Sequence, residues 1–206
     1  MGTDNRAHPA ILYSYQRKPM LKRLSTIAAA LVISTVSAVE AAPKTGTFED
    51  HQNLWAAIAS TGTEMKLNTP ECLVDDAPDG YYSYNSIGDS AFVVCQDDAD
   101  SATQVDWTEN DLDTLRHEAI HLIQDCAHGT RADGILYPLG TGEEIMNLVD
   151  NSIGREFAKE IVEHYRSHVG LTDEAQLMTE VEAFSAAASV NANTLATMIT
   201  EACAAQ

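Results

Sequence analysis

The chain has 206 residues, with 12 Lys and Arg against 31 Asp and Glu, a formal charge of −19 at neutral pH. That length suits one domain. So acidic a surface repels phosphate backbones and anionic lipid, which argues against nucleic acid or a membrane surface as partner.

The first element is "MLKRLSTIAAALVISTVSAVEAA", Met20 to Ala42. A basic pair, Lys22 and Arg23, precedes an apolar run, and small residues surround "AVEAA". That order predicts a secretory signal peptide cleaved near Ala42. The apolar core carries Ser34, Thr35 and Ser37, and it is shorter than the roughly 20 residues of a membrane-spanning helix. The 19 residues before Met20 fit no part of a signal peptide, so translation is expected to begin at Met20. The expected organisation is a leader over residues 1–42 and a single domain over 43–206, secreted or periplasmic, with no membrane attachment after cleavage. The leader holds five of the basic and two of the acidic residues, leaving seven against 29 and a formal charge of −22.

"FEDHQNLWAAIASTG" places Phe48, Leu54, Trp55, Ile58 and Ala59 on one helical face, with Gly62 as a stop. The following stretch, to "CQDD", contains turn signals at Pro70, "DAPDG" and "NSIGDS". "GYYSY" and "AFVVC" between them predict short strands, an antiparallel pair among two or three in all. "DWTENDLDTLRHEAIHLIQDCAHG" is the strongest helix. Thr108 is its N-cap, Asp111 answers three residues later, and Trp107 and Leu112 occupy the staple positions. Leu112, Leu115, Ala119, Leu122 and Cys126 form its apolar face, and Gly129 marks its end. Gly129, Gly134, Gly140 and Gly142 with Pro138 make the next stretch a loop, a candidate cleft rim. "EEIMNLVDNSIGREFAKEIVEHYRSHVG" reads as one helix or two, divided at Gly154, and the remainder as a long helix broken near Asn191 to Asn193. The fold class is therefore α+β: mainly helical with a small antiparallel sheet.

Cys72, Cys95, Cys126 and Cys203 make an even count, which in an exported chain favours two disulfides with three possible pairings. Cys72–Cys95 and Cys126–Cys203 are the favoured pairs, one closing a β segment and the other tying the histidine helix to the chain terminus. No C-x-x-C spacing exists to suggest a cysteine zinc site.

Within "HEAIH", His117 and His121 stand four residues apart and so share a helical face about one turn apart. Glu118, rotated by roughly 100° from His117, reaches a water at the metal without ligating. Zinc (Zn2+) in such a site lowers the pKa of water to about 7 and needs three protein ligands plus an open position.

The motif resembles the H-E-x-x-H signature of the zincin metallopeptidases. No "HxxGxxH" extension follows, so the metzincin pattern is missing. Gluzincins instead take a glutamate from a later helix, often opening an E-x-x-A pattern, and "EVEAFSAA" looks like that helix with Glu180 and Ala183. Phe184 stands where small gluzincins carry a polar residue, which alters how the histidines are supported from behind. Glu182 is the rival ligand, but two residues along a helix rotates it about 200° away. The resemblance implies a zincin-like domain and a zinc metallopeptidase. His117, His121 and Glu180 would bind zinc, Glu118 would be the general base, and a peptide or protein the substrate. The alternative is a secreted binding protein that zinc stabilises without catalysis.

Asp113, four before His117, and Asp125, four after His121, are candidates to orient the imidazoles, or are solvated helix charges. His164, Tyr165, His168 and Tyr137 are candidate donors to a developing oxyanion. His164 and His168 also have ligand spacing, but they lack an adjacent glutamate and read as a solvated face.

Overall fold

The computed structural model describes residues 44–84, 90–128 and 136–204. The expected leader, the turn expected at 85–89 and the glycines at 129 and 134 lie outside them.

Helix α1 (Phe48–Ser60) starts where Thr47 and Asp50 cap each other reciprocally, and it buries Leu54 and Ile58. Strands β1 (Glu64–Leu67), β2 (Gly80–Tyr84) and β3 (Ser90–Val94) form one sheet in the order β1-β3-β2. The expected antiparallel pair is present, with Tyr82 opposite Phe92. The sheet is nonetheless mixed, because β1 joins the far side of β3 in parallel. Asn68 fixes that union. Its backbone N–H donates to Val94 O at 3.0 Å, and its buried amide exchanges hydrogen bonds with Gln96. Central position explains why Phe92, Val93 and Val94 are fully buried.

Helix α2 (Glu109–Ala127) has the predicted Thr108–Asp111 capping box. All five residues of its expected apolar face are buried. Its polar side is buried too, because α2 touches α1, the sheet and the two last helices. Trp107, just ahead of it, meets Trp55 of α1 edge-on with centroids 5.7 Å apart.

Beyond the glycine-rich stretch come α3 (Gly142–Asn151) and α4 (Arg155–His164). Gly154 does separate two helices. It has φ +79°, a left-handed value that glycine adopts without a Cβ clash. A short π-helical turn, Tyr165–Val169, leads to α5 (Glu174–Ala187). The expected break near Asn191 is the N-cap of α6 (Ala192–Cys203), where the Asn191 side chain accepts from Asn193 N.

Two apolar clusters result. One joins α1, the sheet, α2 and α6 through residues such as Leu54, Phe92, Leu122 and Leu195. The other joins α3, α4 and α5 through Ile145, Ile161, Leu177 and Phe184. Helix α5 contributes to both, so Glu180 is carried on an element anchored on two sides. Both favoured disulfides are formed, Cys72–Cys95 and Cys126–Cys203. Two bridges suit an oxidising environment. Among the described residues no helix is long and apolar enough to cross a membrane.

Candidate metal centre

His117 and His121 project from the middle of α2 toward α5, and Glu180 answers from there. His117 Nε2 and His121 Nε2 are 3.1 Å apart, and Glu180 Oε2 lies 3.6 and 3.4 Å from them. These three donors fall within 4.8 Å of one another. All three residues are buried, Glu180 to 1 % exposure.

This group could hold a metal ion, and the polar bookkeeping fits one. Glu180 Oε2 is buried and makes no hydrogen bond. A buried polar atom left so costs about 1–3 kcal/mol, which a ligated cation offsets. Two imidazoles and a carboxylate are a donor set suited to zinc among other divalent ions.

Without an ion, the same three groups perturb one another. Burial works to lower the His121 imidazole, but the Glu180 carboxylate against it prevails and holds it up at about 9. Burial works to raise the Glu180 carboxyl, but His121 and His117 more than offset this and bring it to about 2.

Glu118 stays outside the donor set, with Oε1 4.0 Å from His117 Nε2. Its Oε2 accepts from the Tyr82 backbone N–H at 2.8 Å. Burial pushes its carboxyl above the ordinary value, against the pull of the two imidazoles. Gly80 allows β2 to come this close: a Cβ there would stand 2.6 Å from Thr114 Cγ2 of α2.

The choice between the two glutamates of α5 follows their rotation. Glu180 faces the histidines, whereas Glu182 accepts from Gln124 Nε2, Leu139 N and Gly140 N, each at 2.8 Å. Among the described residues the two candidate orienting aspartates bond to other groups. Asp113 accepts from Arg116 Nη2 at 2.9 Å, and the buried His117 Nδ1 has no partner. Asp125 accepts from the Tyr82 hydroxyl at 2.6 Å, while His121 Nδ1 meets Gln124 Oε1 at 2.8 Å. What stands behind His117 is the Phe184 ring, 4.3 Å away between centroids. His117 is therefore backed by ring packing.

Tyr165 is buried in the second apolar cluster, its ring 6.5 Å from that of Phe184. His164 and His168 stack on each other at 4.8 Å, with His168 exposed. Tyr137 packs on His128 beyond the end of α2. Sequence reasoning missed Tyr82 and Gln124. The i, i+3 spacing of His121 and Gln124 was a usable signal for the second.

Compared with protein-family models, curated proteins and solved structures, the chain has no match.

Proposed function

We propose that this chain is an exported zinc-dependent hydrolase of peptide bonds, with His117, His121 and Glu180 as ligands and Glu118 as general base. The observation that carries the reading is the convergence of three buried donors from two helices, one of them an orphaned carboxylate oxygen, beside a fourth group that does not ligate. Zinc, when bound, supplies Lewis acidity and brings the pKa of water to about 7.

The chain's own residues supply the rest. Glu118 takes the proton of the attacking water on Oε1, the oxygen on the His117 side, while Oε2 accepts from Tyr82 N–H. Its raised pKa suits that transfer and the return of the proton to the leaving amine. Gln124 and Phe184 hold the two imidazoles from behind. Strand β2 is an edge strand, and the Tyr82 main chain turns away from β3 toward Glu118. The H-E-x-x-H and E-x-x-A resemblance supports the gluzincin assignment, and the leader pattern with two disulfides supports export.

A second reading, a non-catalytic zinc-stabilised binding protein, draws on the burial of the cage: His121 is 2 % exposed. Glu118→Gln separates the two. A hydrolase loses turnover on a peptide mixture while keeping zinc; a protein with no turnover to lose is the binder.

A further inference from the structure

The Glu182 carboxylate is 5 % exposed and belongs to no ligand set, yet it accepts three hydrogen bonds. Two come from the backbone at Leu139 and Gly140, in the strap of residues 136–141 that precedes α3. The third comes from Gln124 Nε2, one turn beyond His121 on α2. Gln124 Nε2 also reaches Thr179 O at 3.2 Å. Both partners of that nitrogen are obligate acceptors, so the amide has one consistent orientation. Its Oε1 must then face His121 Nδ1, and the imidazole must carry a proton there. The bonds converge on Glu182: His121 donates to Gln124, Gln124 donates to Glu182, and the backbone N–H groups of Leu139 and Gly140 donate to the same carboxylate. This leaves the Nε2 lone pair of His121 as the one to offer toward His117 and Glu180.

We infer that Gln124 and Glu182 form a positioning pair, which fixes the orientation of the His121 imidazole and locks the strap at Leu139 and Gly140 to the same anchor. The inference rests on the metal-site reading and deepens it. Tyr137 and Leu139 on that strap are both exposed, so a surface suited to an apolar substrate side chain and a metal ligand share one buried carboxylate. His117 has no such device; its Nδ1 is unpartnered. Loss of the pair therefore acts on one ligand of three.

The test titrates zinc into the full chain against a competing chelator, for the wild type, Gln124→Ala, Glu182→Gln and the double variant. Each single variant loses about 10–100-fold in zinc affinity, as orienting partners of metal ligands do. The double variant falls little further, because the two residues act in series. The NMR signal of the His121 Nδ1 proton, protected in the zinc-loaded wild type, exchanges with solvent in Gln124→Ala. Gly140→Ala guards against a variant that fails to fold. Its Cβ would press on Glu182 Oε1 at 3.3 Å, with Glu144 Cβ and Ile145 Cγ1 of α3 at 3.4 Å, and it gives a smaller loss in the same direction. Wild-type affinity in Gln124→Ala and Gly140→Ala overturns the pairing and leaves the metal site standing. A wild-type chain that takes up no zinc overturns both.

Discussion

The backbone N–H of Tyr82 donates to Glu118 Oε2 at 2.8 Å, so the edge of the sheet holds the carboxylate beside the two histidines. The Tyr82 hydroxyl reaches Asp125 on the same helix, two turns further along. One residue of β2 thus clamps α2 at two points, and the site depends on how closely strand and helix approach.

Gly80→Ala tests that approach. The new Cβ meets Thr114 Cγ2 at 2.6 Å and Val93 O at 2.7 Å, and the second is backbone that cannot swing aside. The strand must shift, at about 1–3 kcal/mol as in other overpacked sites. Moving Glu118 by about 1 Å costs up to about 10²-fold in turnover. Urea unfolding and peptide hydrolysis measure both; wild-type values in the two assays contradict the clamp.

Removing the Cys126–Cys203 bridge as a double serine variant costs about 2–4 kcal/mol. It spans 77 residues against 23 for Cys72–Cys95. Loop entropy makes the longer closure worth about 1 kcal/mol more. Unfolding midpoints of the two double variants give the comparison, and a larger loss at Cys72–Cys95 contradicts it. An intact mass showing four free thiols contradicts the bridges themselves.

His51 makes stability sensitive to acid. Its ring is buried between Thr47 O, to which Nδ1 donates, and the Arg116 guanidinium at Nε2. Burial lowers its pKa first and Arg116 adds to this, against Thr47 O and the charges of Glu109 and Asp50. The folded state therefore binds fewer protons than the unfolded chain once the unfolded histidine begins to protonate. Its contribution is present above pH 6.5 and declines as pH falls through the lowered folded value. Thermal unfolding at pH 7.5 and 5.5 shows a smaller pH dependence in His51→Gln than in the wild type. Equal dependence rules the residue out.

Phe184→Ala removes a buried ring that touches His117, Phe157 and Tyr165. The expected loss is about 3–5 kcal/mol of stability, with weaker zinc binding, because His117 has no hydrogen bond behind it. Calorimetry and zinc competition read the two effects. An unchanged zinc affinity in a folded variant shows that packing does not hold that imidazole.

Much of the site was legible because it depends on helical rotation. Four residues bring His117 and His121 to one face, and 200° separates Glu182 from Glu180. The cap of α2 and the breaks at Gly154 and Asn191 were legible for the same local reasons. Tertiary partners were not. Asp125 stands at the right spacing to orient His121, but the Tyr82 hydroxyl from another element occupies it. The parallel pairing of β1 depends on Asn68 and Gln96 meeting across 28 residues, and no alternation in "EMKL" announces that. Asp125 also read as a solvated helix charge, whereas it is buried among neighbouring elements.

The central claim is that His117, His121 and Glu180 hold one divalent cation. Elemental analysis of the protein purified without chelator tests it most directly, alongside Glu180→Gln. The account predicts about one zinc per wild-type chain and a large loss in the variant, since structural and catalytic zinc sites bind far more tightly than purification strips. Less than about a tenth of an equivalent in the wild type, or equal zinc in both proteins, contradicts it.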